Sequence, residues 1–421
     1  MAYIQRTIEE TLKKATNEFP VVVLTGPRQS GKTTVLQHLF SAAAGYVSLE
    51  APDIRDAATR DPRGFLTLHP PPVIIDEVQY AADLLPYIKE QVDVNRALKG
   101  QFFLTGSQNL LLLSLMSESL AGIAAVLHLL PLFPGRKAPE IPGRASVGGA
   151  GSGTEGTTSP GIRALGGSAE RIVSRNRHRL AARHPSLARR IRADISGAGC
   201  APAHPGGRPR AVPGLPQGSG GAQRTASEFE RNQSRELGIA LNTAKRWLSI
   251  LEATFQVTVL RPYRVNAGKR LVKSPKAYFT DTGTLCYLLG IRNTESAASD
   301  LIRGPLFETF VLSELLKSFI HRGEQPPLFF WRTSHGVEVD FVIDNGLSLI
   351  PIEVKATATP RYPMADGIRA FRTDYGNAGA GFVVHLGSER VPMGEGTTAI
   401  PCTDISRGMA KRDYAEPASS G

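Results

Sequence analysis

Four residues near the start of the chain have the types and spacing for phosphate chemistry. Gly26, Gly31, Lys32 and Thr33 fit G-x-x-x-x-G-K-[ST] inside VVVLTGPRQSGKTT, Val21–Thr34. Glycine lets the backbone curl so that its N–H groups point inward at phosphate oxygens. A helix opening near Lys32 adds the positive end of its dipole at the same place. Lys32 is then placed to reach the β- and γ-phosphates of a nucleotide and Thr33 to offer its hydroxyl to Mg2+, with Thr34 beside them in the first helical turn. The plain alternative is a Gly-rich turn between a strand and a helix, with no ligand.

A second pair, Asp76-Glu77, closes the apolar run Val73-Ile74-Ile75. Asp76 can hold an Mg2+ shell, and Glu77 can orient or deprotonate an attacking water. Alone, such a pair is more often a solvated strand end; its place 43 residues after Thr33 favours the chemical reading. Thr105 or Ser107, at the end of the apolar run that starts at Gln101, could sense a γ-phosphate, or simply end a strand. A third set lies far downstream. Val337, Val339, Phe341 and Ile343 alternate, which turns Asp340 to the opposite side, and Asn345-Gly346 signals a hairpin. On the return strand Glu353 and Lys355 share a side, so a paired hairpin puts Asp340, Glu353 and Lys355 on one face. Glu308 precedes them on an amphipathic helix, Leu306 to Phe319. The plain alternative here is the solvated polar face of a hairpin.

The elements that must position these groups alternate as strands and helices. A helix over residues 1–19 leads into the Val21 strand, and Thr34 to Phe40 continues the helix after the loop. Tyr46 to Glu50 reads as a strand and Asp53 to Arg60 as a polar helix with Pro52 at its start, so one strand and one helix separate Thr33 from Asp76. Leu84 to Leu98 is an amphipathic helix. Further on, Ser234 to Ile239 and Thr243 to Leu251 read as two helices, the second with Ala244, Trp247, Leu248 and Leu251 on one face. Phe255–Leu260 and Ala277–Phe279 could be wing strands, and Asp281 suffices as the cap of a helix over Leu285 to Leu289. A last strand is expected at Thr397 to Ile400.

Composition bounds the rest. The chain is 421 residues long and 41% hydrophobic, enough for two to four domains. Its start is charged from Arg6 onward, unlike a signal peptide. The longest apolar stretch, Leu110 to Phe133, is interrupted by Glu118, His128 and Pro131, short of the roughly 18 residues a membrane helix needs. Cys200, Cys286 and Cys402 have neither metal-ligand spacing nor a disulfide framework. No membrane partner and a cytoplasmic location are expected. The net charge of +11 is local: residues 134–226 hold fifteen Arg or Lys, one of them Lys, against four Asp or Glu. The same stretch holds eighteen glycines and no Phe, Trp, Tyr or Met. Such a composition cannot offset the chain entropy of folding. It is either an Arg/Gly-rich arm for RNA, DNA or acidic protein, or a GC-rich coding stretch read out of frame; the scarcity of Lys and the abrupt edges favour the second.

GPRQSGKTT, VIIDEVQ, FFLTGSQ and SESLAG, in this order, resemble a bacterial and archaeal family of AAA+-like ATPases. That resemblance implies ATP and Mg2+ as cofactors, a winged helix after the ATPase core, and a C-terminal domain of unknown function with a nuclease-like fold. Lys245 and Arg246 would meet phosphates in a DNA-binding winged helix, although such modules also serve as packing elements; Lys269, Arg270 and Lys273 add basic charge in the loop between the wing strands, where a solvated loop is the plainer reading. Asp340…Glu353-x-Lys355, with Glu308, resembles the restriction-endonuclease-like superfamily, in which two carboxylates bind Mg2+ and the lysine positions water. In the ATPase family SESLAG precedes an arginine; here that position is Ile123. An arginine there, acting in cis or across a homo-oligomer interface, would be worth orders of magnitude in hydrolysis rate.

The expected fold is therefore α/β. A P-loop NTPase parallel sheet spans 1–132 and a disordered basic insert 133–227. A winged-helix segment follows at 228–295, then a restriction-endonuclease-like α/β domain at 300–402 and a tail at 403–421. The expected function is Mg2+-dependent ATP hydrolysis, with binding more robust than turnover. The alternatives are a DNA-binding or DNA-cleaving protein regulated by the ATPase, and the product of a decayed gene.

Overall fold

The computed structural model describes residues 3–107, 119–131, 241–263, 274–291, 297 and 300–406. The basic insert, the expected helix Ser234 to Ile239, the Lys269, Arg270 and Lys273 loop, and most of the tail lie outside them.

The N-terminal part alternates helix and strand. It runs α1 (Glu9–Glu18), β1 (Val21–Thr25), α2 (Lys32–Phe40), β2 (Gly45–Ser48), α3 (Pro52–Arg60), α4 (Pro62–Leu68), β3 (Val73–Asp76), α5 (Leu84–Val94), β4 (Phe102–Gly106) and β5 (Ala124–His128). The five strands form one sheet in the order β2-β3-β4-β1-β5, every pairing parallel. Helices cover both faces, so strands such as Val21-Val-Val-Leu24 are apolar throughout rather than alternating. Val21, Val23, Ile75, Phe102 and Leu104 pack into one apolar layer. Val22, Leu24, Ile74, Phe103 and Leu127 pack into the other.

Three expectations need correction here. The first helix begins at Glu9, leaving residues 3–6 without regular structure and a turn at 7–8. Between β2 and β3 stand two helices, α3 and α4, where one is expected: α4 is started by Pro62 and capped by the Asp61 carboxylate, which accepts the Gly64 N–H at 2.9 Å. Strand β5 was hidden within the long apolar run. Ile123, just before it, is buried in the apolar layer of Val21 and Phe102.

The C-terminal part holds α6 (Leu241–Ala253), β6 (Val257–Pro262), β7 (Lys276–Phe279), α7 (Thr282–Leu288), α8 (Asp300–Ile320), β8 (Leu328–Arg332), β9 (Glu338–Asp344), β10 (Leu349–Lys355), α9 (Asp366–Asp374), β11 (Gly381–His385), β12 (Val391–Pro392), β13 (Thr397–Pro401) and α10 (Cys402–Ser406). Its eight-stranded sheet runs β12-β13-β11-β10-β9-β8-β6-β7. The β6–β7 hairpin read as a wing therefore continues this sheet, with β6 parallel to β8. Asp281 caps α7 as expected, its carboxylate accepting the Thr284 N–H at 2.8 Å. Trp247, expected on the apolar face of α6, is 44% exposed; Ala244, Leu248 and Ile250 are the buried residues.

The simple alternation expected along β9 also fails. Phe329 faces Val342, but Trp331 faces Val339, so a bulge lies between these pairs. In consequence Phe341 and Ile343 pack with α8, while Val339 and Val342 join Trp331 and Phe371 on the other side. Val337 lies outside the strand and is 41% exposed.

Candidate functional site

The phosphate loop is built by close backbone approach. Gly26 has φ 148°, and a Cβ there would stand 2.3 Å from the Leu129 carbonyl oxygen. Gly31 has φ 95° at the start of α2, a left-handed conformation that favours glycine. Gln29 is left-handed as well, at φ 61°. The Ser30 hydroxyl, in a residue 2% exposed, has no hydrogen-bond partner among the described residues. Lys32 is 5% exposed, and its ammonium donates to the carbonyls of Gly26 at 3.0 Å and Pro27 at 3.1 Å. Thr34 lies exposed on the first turn of α2.

Asp76, at the C-terminal end of β3, is surrounded by hydroxyls. The Thr33 hydroxyl lies 3.0 Å from both carboxylate oxygens, and the Tyr46 phenol donates to Oδ2 at 3.1 Å. The Thr105 hydroxyl donates to Oδ1. This is possible because β4 lies between β1 and β3. Thr105 is fully buried and also accepts the Glu77 N–H at 3.3 Å, so it ties β4 to the end of β3. Burial and the neighbouring Asp76 carboxylate push the Tyr46 phenol up to about 12. Glu77 adopts a left-handed backbone, φ 56° and ψ 46°, sparsely populated without glycine. Its carboxylate accepts from the Ser107 hydroxyl at 3.2 Å and from the Gln79 amide. The structure thus gathers Lys32, Thr33, Asp76, Glu77 and Ser107 at one end of the parallel sheet.

These residues fit a nucleotide and Mg2+. Glycines occur where a Cβ would collide, a buried hydroxyl in the loop lacks a partner, and a hydroxyl–carboxylate pair offers oxygen donors of the kind Mg2+ takes. Lys32 and the loop N–H groups would hold phosphate; Thr33 and Asp76 would hold the ion.

The C-terminal set forms a buried polar network. The register that pairs Ile352 with Phe341 brings Asp340 opposite Glu353 one step further on. The Asp340 carboxylate accepts the Val354 N–H at 2.8 Å, and the Lys355 ammonium donates to Glu353 Oε2 at 2.8 Å. Glu308, on α8, accepts from the Tyr278 phenol at 2.5 Å and lies 3.6 Å from Lys276, which also pairs with Glu338. Burial, then the Asp340 charge, pushes the Glu308 carboxyl up to about 8 against the opposing pull of Lys276. The same two causes raise Glu353 well above the usual range. Burial pulls the ammonium of Lys355 down, but Glu353 and Asp340 outweigh it and raise it overall. Each of Glu308, Asp340 and Glu353 therefore already has a donor from the chain. Among the described residues no group of three His, Cys, Asp or Glu is arranged to hold a metal ion. This network as it stands does not fit a metal.

Several contributors escaped the sequence reading. Tyr46 and Arg6 belong to no motif, and they reach the first site only through sheet order and a long-range approach. Lys276, Tyr278 and Glu338 had one legible signal, the alternation Lys276-x-Tyr278 and Glu338-x-Asp340 on strands. Nothing in periodicity says that those strands share a sheet. Among the described residues, no helix is long and apolar enough to cross a membrane.

Comparison with known proteins divides the chain similarly. An AAA domain family matches residues 18–133. A domain of unknown function, DUF8612, matches 221–295 and another, DUF4143, matches 303–405. Lys276 and Tyr278 thus lie in one match and Glu308, Asp340, Glu353 and Lys355 in the other. A solved structure, protein VC1899 from Vibrio cholerae, aligns over 92% of this chain and 95% of its own at 11% identity, but its TM-score of 0.19 supports no argument. The uncharacterized proteins Rv2008c of Mycobacterium tuberculosis and Mb2031c of Mycobacterium bovis are each 30% identical over 403 residues, covering 95% of this chain and 84% of theirs. The chain belongs to the family of these mycobacterial proteins, with an AAA domain at its N-terminal end and a DUF4143 domain at its C-terminal end.

Proposed function

We propose that the protein binds ATP at the Gly26–Thr34 loop and hydrolyses it with Mg2+. The observation that supports this most directly is the Thr33 hydroxyl 3.0 Å from both oxygens of Asp76, across 43 residues of sequence. Bound Mg2+ would supply charge neutralisation on the phosphoryl oxygens. Lys32 brings a buried ammonium that must exchange the Gly26 and Pro27 carbonyls for phosphate. Asp76, kept in place by Thr105 and Tyr46, would hold the ion together with the Thr33 hydroxyl. Glu77 orients the attacking water once its carboxylate leaves Ser107 and Gln79.

Binding is more robust than turnover in this reading, because the insert replaces the region expected to pack over the nucleotide and Ile123 stands where the resembling family has arginine. The composition of 134–226 supports an out-of-frame origin for that insert. Titration of the full chain with ATP and Mg2+ should show binding that Lys32→Ala abolishes. Unchanged binding in Lys32→Ala would refute the assignment, and equal turnover in this chain and a reframed version would refute the ranking of binding over hydrolysis.

A second reading rests on the meeting of Asp340, Glu353 and Lys355: cleavage of DNA, engaged through the exposed Lys245 and Arg246 of α6 and regulated by the ATPase domain, by one chain or by a homo-oligomer. It requires the carboxylate network to open. It expects cleavage in Mg2+ that disappears in Asp340→Ala and survives Lys32→Ala. Cleavage that persists in Asp340→Ala excludes it.

A further inference from the structure

Arg6 lies ahead of α1 and belongs to no motif, yet it is only 8% exposed. Its Nη1 donates to the carbonyl of Ser30, inside the phosphate loop, at 2.8 Å. Its Nη2 donates to the carbonyl of Leu130, just past β5, also at 2.8 Å. Nη1 is so close to the loop that a Cβ on Gly31 would stand 3.2 Å from it. A guanidinium can bridge two carbonyls in this way because its donors are fixed in a planar fork; a lysine ammonium has no such fork. Both bonds are charge-assisted and shielded from water, the setting in which hydrogen bonds are strongest.

Leu130 is bound from the other side as well. Its N–H donates to Nε2 of His321 at 3.2 Å, and His321 is 1% exposed, one residue beyond the end of α8. An acceptor at Nε2 means that this nitrogen bears no proton, so the contact is directional. The Leu130 side chain packs into the C-terminal core with Leu316 and Phe319 of α8. The junction is further closed by the Thr11 hydroxyl of α1, which donates to the His321 carbonyl at 3.0 Å. A continuous hydrogen-bonded path therefore runs from Ser30 through Arg6 and the Leu130 peptide to His321. Near the middle of the same helix stands Glu308, in the buried polar network.

We infer that Arg6 is a positioning residue of the phosphate loop, and that it braces the loop against the C-terminal domain through Leu130 and His321. The inference rests on the reading of Gly26–Thr34 as a nucleotide site. Ser30 and Gly31 are the loop residues next to Lys32, so a displaced Ser30 carbonyl disturbs the N–H groups that face phosphate. The brace also makes nucleotide affinity depend on a residue of the other domain that has no contact with the loop.

The test is equilibrium titration of the full chain with ATP and Mg2+ at a temperature where every variant is folded, with Lys32→Ala as the baseline. Arg6→Ala removes both bonds and is expected to raise Kd at least about tenfold. Arg6→Lys should fall between, since it can hold one carbonyl. His321→Gln keeps an acceptor near the position of Nε2 and should bind within about twofold of the unaltered chain, whereas His321→Phe should lose several-fold. The Arg6→Ala, His321→Phe double variant should lose less than the product of the two single losses, because both cut one path. A merely structural role for His321 would not give rescue by glutamine. The inference is overturned if Arg6→Ala and Arg6→Lys both bind as the unaltered chain does, or if the two single effects multiply. If Lys32→Ala binds ATP normally, the nucleotide site itself is misassigned, which is a separate outcome.

Discussion

Replacing Glu308 with glutamine should change how stability depends on pH. Glu308 is 4% exposed, accepts from Tyr278, and faces Asp340 and Lys276. Burial first, and the Asp340 charge second, hold its carboxyl at about 8 rather than the usual 4.5. Below about 4.5 the group is protonated in both folded and unfolded chains. Between there and about 8 the folded chain keeps a proton that the unfolded chain has released. Its stabilising contribution is therefore complete below the unfolded value and is lost as pH rises through this window. At roughly 1.4 kcal/mol for each pH step, the ceiling over the whole window is about 5 kcal/mol. The glutamine variant keeps an acceptor for Tyr278 and cannot ionise, so it should lack this loss.

The assay is urea denaturation from about pH 5.5 to 8.5, followed by the fluorescence of Trp331, which is buried in the C-terminal sheet. Both chains should carry Trp247→Phe to remove the exposed second indole. Relative to Glu308→Gln, the parent is expected to lose about 2–4 kcal/mol across that range. Glu353, the other acid raised by burial, titrates in both chains and cancels in the comparison. Parallel pH profiles for the two chains would refute the account of the buried network.

Other perturbations test the geometry at single positions. Gly26→Ala puts a Cβ 2.3 Å from the Leu129 carbonyl at φ 148°; it should lower stability by about 2–4 kcal/mol and remove ATP binding, read by thermal unfolding and titration. Thr33→Val leaves Asp76 held by Thr105 and Tyr46, so it should cost about 1 kcal/mol or less in stability. It should also weaken ATP binding about tenfold in Mg2+ and not in EDTA, which separates the metal ligand from the fold. Gly367→Ala brings a Cβ 2.2 Å from Glu353 Oε1 and 2.3 Å from the Glu338 carbonyl; a loss of about 1–3 kcal/mol in urea denaturation is expected.

What was legible from residues alone was local. A loop of a few residues between a strand and a helix must curl in one way for its glycines to be needed, so Gly26, Gly31, Lys32 and Thr33 could be placed without the fold. Asp76-Glu77 was legible for the same reason, as polar residues at the end of an apolar run. The Asn345-Gly346 turn set the pairing of β9 with β10, and with it the meeting of Asp340 and Glu353. Even there, the pattern could not show the bulge opposite β8, which changes the side on which Val339 packs.

The remaining features depend on contacts between segments distant in the chain, which hydrophobic periodicity does not encode. Thr105 reaches Asp76 only because β4 is inserted between β1 and β3. Lys276 and Tyr278 reach Glu308 only because the β6–β7 hairpin joins the C-terminal sheet. Arg6 meets Leu130 across 124 residues, and the carbonyls it bridges have no signature in side-chain type. The sequence by itself determined where the Gly26–Thr34 loop turns from strand to helix, because that turn is written in residue spacing. Tertiary structure alone decided which buried charges and hydroxyls surround them, because a buried polar group must find its partner wherever the packing of sheets and helices brings one near.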